Sequence, residues 1–212
     1  MTVLLLLAIT IGIRHAFEPD HIAAVLTIST QSKSLSATAK QGAIWGVGHT
    51  ITLLIFSMIL IVWQIKIDEG VFALLELFVG VILILMGIDV IKNIKKTNKK
   101  NYFIKTSQHD SALTLKAFGI GLLHGAVGSG VIIALVTTTI DSLYLKFTYI
   151  TLFSVGLITC MAVLSILVSG PLHRHLNIFP LRYLKIAAGS IAILIGMKIL
   201  FQSGIQINTL LI

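Results

Sequence analysis

Cysteine and charge are scarce in this chain of 212 residues, and their scarcity excludes several classes of protein. Because Cys160 is the only cysteine, the chain has no internal disulfide, no paired-cysteine redox motif and no thiolate cage for a metal. Charged residues make up 11% of the chain, whereas a soluble domain has about 25%. With 56% hydrophobic residues and a mean hydropathy of +1.00, the composition indicates an integral membrane protein.

Acidic residues are also few, eight against sixteen lysines and arginines, which gives a net charge of +8. A basic chain can bind nucleic acid, but here the lysines concentrate in one loop, and the positive-inside rule accounts for them. We therefore predict no nucleic-acid partner. The N-terminus lacks the basic region of a signal peptide, so we expect the first apolar segment to be retained.

Six segments are long and apolar enough to cross a bilayer, which takes about 20 residues. They are residues 2–30, 42–64, 70–92, 113–139, 145–170 and 183–204. The chain is thus predicted to be an all-α, multi-pass protein of the lipid bilayer of the cell membrane (plasma or inner), forming one membrane domain over residues 1–212.

The basic residues predict the orientation of these spans. Twelve of the sixteen follow the first, third or fifth span, several of them in the loop 93–112, whereas only Lys66 and Lys146 lie in loops on the other side. By the positive-inside rule the first side is cytoplasmic, so both termini should lie outside. The loop 93–112 is interpreted as a mobile cytoplasmic connector or a contact for anionic lipids.

The two halves of the chain resemble each other at an offset of about 109 residues. Three spans in each repeat put the halves in opposite orientations, which is the inverted-repeat plan of secondary transporters. We predict repeats over 2–92 and 113–204 with broken first helices. The aligned segments are Gly12-Ile13-Arg14-His15 with Gly121-Leu122-Leu123-His124, Gly80 and Gly87 with Gly189 and Gly196, and, at an offset of 108, Gly46-Val47-Gly48 with Ser154-Val155-Gly156.

The most polar stretch within a predicted span is Arg14-His15-Ala16-Phe17-Glu18-Pro19-Asp20-His21. Ionisable groups at membrane depth are unfavourable and therefore indicate function. On a straight helix, at about 100° per residue, His15 and Asp20 would point about 140° apart. Pro19 has no N–H for the carbonyl of His15, so we expect the helix to break between His15 and Asp20 and to leave that carbonyl as an extra oxygen ligand.

Such a break would let His15, Asp20 and His21 converge on one ion. Imidazole nitrogen together with carboxylate oxygen suits a borderline divalent ion such as Ni²⁺, Co²⁺ or Zn²⁺. The alternative is a structural cluster, in which Arg14 pairs with Glu18 four residues on and the histidines bond to neighbouring helices.

Two further histidines are candidate metal ligands. His124 occupies the position of His15 in the second repeat, where the glycines of His124 to Gly130 allow a bend; it is either a fourth ligand or gate, or a histidine bonded across a helix interface. His49 lies about two turns into the predicted second span. It is either a relay ligand on the exit side or a polar residue that bonds a neighbouring helix.

These residues carry a resemblance to a known family. His15-Ala16-Phe17-Glu18-Pro19-Asp20-His21, preceded by Arg14, resembles the signature of the nickel/cobalt transporters, in which four residues separate His from Asp-His. The segment from Trp45 to Thr50 is similar to that family's Gly-His-Ser/Thr element. Leu123 to Gly130 resembles a stretch of the short UreH-like, urease-accessory membrane proteins. The acidic Phe-Asp-Thr motif of full nickel/cobalt permeases is absent from the second half.

The resemblance implies that His15, Asp20 and His21 bind Ni²⁺ or Co²⁺ as a transported substrate, with no prosthetic group, and it implies a link to nickel-enzyme maturation. The leading interpretation is a secondary transporter that works by alternating access, and not an enzyme. The alternatives are an intramembrane metalloenzyme with Glu18 as its base, a transporter of a small organic anion that uses Arg14, and a non-transporting accessory subunit. The metalloenzyme interpretation is weakened by the lack of an HExxH motif.

Overall fold

A computed structural model describes residues 2–32, 34–63, 69–93, 107–127, 136, 140–174 and 181–211. This part of the chain contains seven helices and no strand, which confirms the all-α prediction for it. The helices are α1 (Thr2–Ala16), α2 (Pro19–Ser29), α3 (Leu35–Val62), α4 (Glu69–Lys92), α5 (Ser107–Val127), α6 (Leu143–Arg174) and α7 (Leu181–Leu211).

Among the described residues, four helices contain stretches long and apolar enough to cross a membrane: Leu35–Val62, Gly70–Lys92, Leu143–Gly170 and Arg182–Leu210. Large apolar side chains such as Leu6, Phe78 and Phe201 are exposed on the outer surface, as lipid contact requires. The chain is therefore a membrane protein. The six-span plan stays a prediction, because the first predicted span is divided and most of residues 128–139 lie outside the described residues, as does most of the loop 93–112.

The first predicted span breaks where the sequence predicts. Helix α1 ends at Ala16, and α2 begins at Pro19, whose missing N–H is harmless in the first turn of a helix. Glu18, the residue before proline, is extended (φ −62°, ψ 145°), because a following proline disfavours the helical conformation. One tight turn closes α1, with the N–H of Glu18 donating to the carbonyl of His15 at 3.0 Å.

Helix α3 begins earlier than predicted. Its N-cap is Ser34, whose Oγ accepts a hydrogen bond from the N–H of Ala37 at 3.1 Å. The prediction started this span at residue 42 because Lys40 was taken to lie outside it; in the structure Lys40 is part of the helix. His49 therefore lies about four turns inside α3 and not two, which places it near the middle of the helix.

The helices pack in pairs, α1 with α6, α3 with α5 and α6, and α4 with α7. Glycines allow these pairs to approach at backbone distance, and two of the closest contacts join α1 with α6 and α3 with α5. A Cβ on Gly12 would lie 2.1 Å from the carbonyl oxygen of Phe153, and one on Gly121 would lie 2.1 Å from that of Trp45. Small residues at helix crossings permit such packing in membranes, and here it draws the polar residues of α1, α3 and α5 together.

Candidate metal centre

The break between α1 and α2 brings the first two histidines of the motif into contact. His15 lies in the last turn of α1 and His21 in the first turn of α2, and their ring centroids are 4.6 Å apart in an edge-to-face arrangement. Both side chains are buried, at 3% and 1% exposure. The broken helix therefore does what a straight one would not, since it directs both imidazoles into the same part of the interior.

Hydrogen bonds orient both rings. His15 donates from Nδ1 to Oε1 of Glu18 at 2.9 Å, and His21 donates from Nδ1 to the carbonyl oxygen of His15 at 2.7 Å. Histidines that bind metals usually donate their other ring N–H to a carboxylate or a carbonyl in this way. The prediction that the His15 carbonyl is free to bind an ion is wrong, because that carbonyl accepts from both His21 and the N–H of Glu18.

Helix α3 adds His49 to this pair. Its ring centroid lies 5.3 Å from that of His15 and 5.4 Å from that of His21, and one ligand atom from each of the three histidines lies within 4.8 Å of the others. Neither ring nitrogen of His49 has a hydrogen-bond partner among the described residues. The interpretation of His49 as a residue that bonds to a neighbouring helix requires such a partner, and the described residues provide none.

His124 approaches the same region from α5. Its ring centroid is 5.9 Å from that of His21, and its Nδ1 donates to the carbonyl of Ile120 on its own helix at 3.1 Å. The Nε2 atom is buried without a hydrogen-bond partner among the described residues, so no bond across the helix interface is seen there. His124 is thus oriented like His15 and His21, but it lies outside the group of three.

Asp20 belongs to a second, more exposed group. Its Oδ2 lies 3.8 Å from Nε2 of His21, and Glu18, Asp20 and His21 offer ligand atoms within 4.8 Å of one another. Glu18 is about half exposed, at 49%, and Asp20 is 20% exposed. The predicted set of His15, Asp20 and His21 is therefore divided between two overlapping groups that share His21.

The structural-cluster alternative assigned other partners to these side chains. It paired Arg14 with Glu18, whereas Glu18 binds His15 and the side chain of Arg14 is exposed. It also gave the histidines partners on neighbouring helices, whereas the bonds that His15, His21 and His124 make through Nδ1 stay within the α1–α2 segment or within α5.

Trp45 belongs to the site but was not predicted to, although it begins the segment Trp45 to Thr50 that contains His49. The buried indole ring lies 4.8 Å from His21, 5.3 Å from His49 and 5.4 Å from His124, measured between ring centroids. The signal in the sequence was its position four residues before His49, which puts both on one face of α3.

Three of the four clustered histidines have buried ring nitrogens without a hydrogen-bond partner among the described residues. These atoms are Nε2 of His15, both ring nitrogens of His49 and Nε2 of His124. A buried polar atom without a hydrogen bond costs about 1–3 kcal/mol. Imidazole nitrogens oriented by a second hydrogen bond are favourable ligands for a borderline divalent cation, which would offset that cost.

The fold and the cluster together define a helical, multi-pass membrane protein with a buried, histidine-lined centre. The NicO family model, described as high-affinity nickel-transport protein, matches residues 1–86. The urease accessory protein UreH of Bacillus sp. (strain TB-90) is 35% identical over 175 residues, which cover 79% of this chain and 77% of that protein.

The chain therefore belongs to the NicO family, in the group of UreH, as its motifs indicated. This is a family of transport proteins and not of enzymes, in agreement with the sequence prediction. No solved structure matches the chain.

Proposed function

We propose that the protein is a secondary transporter of a divalent transition-metal ion, Ni²⁺ or Co²⁺, that binds its substrate at the histidine cluster. One observation carries the proposal, namely that His15, His21 and His49 converge on one buried region in which His15 and His49 have ring nitrogens with no hydrogen-bond partner in the described part of the chain. Nickel transport is also the described role of the matching family. The name of the relative, a urease accessory protein, supports a link to nickel-enzyme maturation.

Within this proposal the two groups of ligands have different tasks. The buried histidines hold the ion, and the half-exposed Glu18 together with Asp20 receives it and passes it to His21, which belongs to both groups. His124 faces the cluster from the second half of the chain. His15, Asp20, His21, His49 and His124 are thus the proposed metal-binding residues.

Transport by alternating access requires two halves that can rock against each other. The contacts between helices support an inverted repeat over 2–92 and 113–204, because offsets of 109 and 108 residues exchange one contact for another. All distances here run from a Cβ added to the glycine to a carbonyl oxygen of the facing helix. The contact of Gly12 with Phe153 is exchanged for that of Gly121 with Trp45, both at 2.1 Å. The contact of Gly156 with Ile9 is exchanged for that of Gly48 with Phe118, both at 2.5 Å.

The proposed location is the cell membrane, with both termini outside and the basic loop 93–112 in the cytoplasm. Labelling of a Lys99→Cys variant in intact cells tests this orientation. A membrane-impermeant reagent should leave the introduced thiol unlabelled until the cells are opened, and labelling from outside would reverse the assignment.

Uptake by purified protein in liposomes tests the function. We expect the liposomes to accumulate Ni²⁺ or Co²⁺ in preference to Zn²⁺ and a pH gradient to change the rate if protons are the coupling ion. The His21→Ala variant should take up no metal above protein-free liposomes. Val47→Ala, which changes an exposed residue of α3, is the matched control. Metal uptake that persists in His21→Ala would contradict the proposed site.

A further inference from the structure

Two buried aromatic rings flank the histidine cluster. Trp45 of α3 contacts His21, His49 and His124, with ring centroids 4.8–5.4 Å apart, and Phe153 of α6 lies 5.5 Å from His15. Their exposed fractions are 1% and 0%. Among the ring contacts of the described residues, Phe153 meets His15, whereas Trp45 meets the other three histidines. The two aromatic rings therefore cover different parts of the cluster.

The two aromatic residues occupy equivalent positions in the halves of the chain. The offset of 108 residues that aligns Gly46-Val47-Gly48 with Ser154-Val155-Gly156 also aligns Trp45 with Phe153. The backbone around each residue is packed in the same way, since the carbonyl of Trp45 touches Gly121 and that of Phe153 touches Gly12. A bulky ring therefore stands beside each of the two equivalent helix crossings.

The rings lie toward opposite ends of the helix bundle. Helices α3 and α6 run antiparallel, because Gly42 faces Ser165 while Gly46 faces Ile158. Residues of α3 before Gly46, including Trp45, are therefore level with residues of α6 beyond Ile158, and Phe153 is level with residues of α3 beyond His49. Trp45 lies on the side of the cluster where α3 begins, and Phe153 lies on the side where α6 begins.

A buried polar side chain, that of Gln41, lies next to Trp45 on the side where α3 begins. Gln41, one helical turn closer to the start of α3, is fully buried, and neither its amide nitrogen nor its amide oxygen has a hydrogen-bond partner among the described residues. The indole nitrogen of Trp45 is also without one there. An amide buried at this depth is unfavourable unless water or a passing ion supplies its hydrogen bonds.

We propose that Trp45 and Phe153 are two barriers that close the histidine cluster off from opposite faces of the membrane, and that Gln41 lies on the route of the ion behind Trp45. The inference rests on the proposed function as a transporter, and it adds the residues that separate the ion from each side. Removal of one ring opens the cluster toward one face only.

Labelling of introduced thiols tests the barriers without any metal. In the full chain with Cys160→Ala, one variant carries Gln41→Cys and another carries His49→Cys, and a charged, impermeant thiol reagent is applied to either face of oriented membrane vesicles. Both positions are buried, but Gln41 lies outside the Trp45 barrier, so from the face where α3 begins we expect Gln41→Cys to react faster than His49→Cys, which should be protected from both faces. The Trp45 ring lies between these two positions on α3.

Loss of each ring should then expose His49→Cys from a different face. Trp45→Ala should raise its labelling from the face where α3 begins, and Phe153→Ala from the opposite face. Each rise should be on the order of tenfold, because the labelling rate follows the fraction of molecules in which the site is open. Val47→Ala and Val155→Ala are matched controls, since these exposed valines occupy equivalent positions beside the barriers on the lipid side.

The proposal is overturned if both ring variants open the same face, if neither changes the labelling, or if the valine controls open the cluster equally. Trp45→Leu and Phe153→Leu, which keep an apolar side chain, replace the alanine variants if those do not fold. If the leucine variants also fail to fold, the comparison of Gln41→Cys with His49→Cys decides, and equal labelling of the two contradicts a barrier at Trp45. Failure of nickel uptake together with the expected labelling would contradict the transport function and leave the barriers in place.

Discussion

In the first half of the chain the helix that carries His15 breaks at Pro19, whereas in the second half α5 continues through His124 as far as Val127. The break lets His21 donate to the carbonyl of His15 across the gap between two helices. Within α5, His124 donates to the carbonyl of Ile120, one turn back on its own helix. The break therefore orients two ligands toward one region, whereas the described part of α5 orients a single ligand.

The scaffold around these ligands differs much less between the halves. Gly12 of α1 packs on α6 and Gly121 of α5 packs on α3 equally closely, since a Cβ added to either glycine would lie 2.1 Å from a backbone carbonyl oxygen of the facing helix. The first half nevertheless contributes three of the four clustered histidines and both nearby carboxylates. The comparison indicates that the packing is alike in both halves, while among the described residues the candidate metal-binding groups concentrate in the first half.

The largest effect should follow from removing the residue that both ligand groups share. We expect His21→Ala to weaken Ni²⁺ binding, measured by isothermal titration in detergent, by more than the ~10–100-fold that the loss of an outer-shell partner produces. His173→Ala, at the C-terminal end of α6, is the control and should bind as the unchanged protein does. Equal affinities of the two variants would place the metal elsewhere.

Glu18→Gln tests whether orientation by a carboxylate matters in the first half. The amide keeps the size of the side chain but removes the charge that the N–H of His15 meets at 2.9 Å. We expect Ni²⁺ affinity to fall about 10–100-fold, as for other outer-shell partners of metal-bound histidines. Arg14→Gln, an exposed neighbour on α1, should leave the affinity unchanged. A Glu18→Gln variant that binds normally would show that the contact is structural only.

The shared scaffold can be broken at either half. Gly12→Ala and Gly121→Ala each force a Cβ against a backbone carbonyl, so the free energy of unfolding should fall by about 1–3 kcal/mol in both, as measured by denaturant unfolding in detergent. Gly119→Ala, where no atom lies within 4 Å of the added Cβ, is the control on α5. Destabilisation in only one of the two glycine variants would contradict the equivalence of the crossings.

His124→Ala measures what the second half contributes to binding. Because His124 lies outside the group of three histidines, its loss should weaken Ni²⁺ binding by about tenfold or less, close to 1.4 kcal/mol. His124→Gln, which retains a polar side chain, should lose no more than the alanine variant. A loss as large as that of His21→Ala would make the two halves equal partners in the site.

The smallest effect should come from the ion pair that links the halves between the last turn of α4 and the middle of α5. Lys116 Nζ lies 2.6 Å from Oδ2 of Asp89, and both side chains are more than one third exposed. Exposed pairs contribute about 0–1 kcal/mol, so Asp89→Asn should change the unfolding free energy by no more than that. Sodium chloride should reduce the difference further. A larger loss would indicate that this contact holds the halves together.

The sequence by itself determined the membrane class, the helical fold and the position of the break. Long apolar runs can cross a bilayer only as helices or closed barrels. Pro19 lacks a backbone N–H whatever the tertiary structure, so the position of the break is a local property of the sequence. His15, Asp20, His21, His49 and His124 were all identified as candidates, because ionisable groups in apolar segments are rare. The helix ends were less predictable, since α3 extends past Lys40 to a serine cap.

Only the tertiary structure decided how those residues are arranged. The sequence could not show that the His15 carbonyl is taken by His21, that Asp20 shares a separate group with Glu18, or that Trp45 contacts three of the histidines. Each of these contacts depends on where a second helix segment passes the first, and that is set by packing at glycines far apart in the chain. Local periodicity predicts the face on which a side chain lies, whereas the neighbour it meets there is decided by the distances between helices.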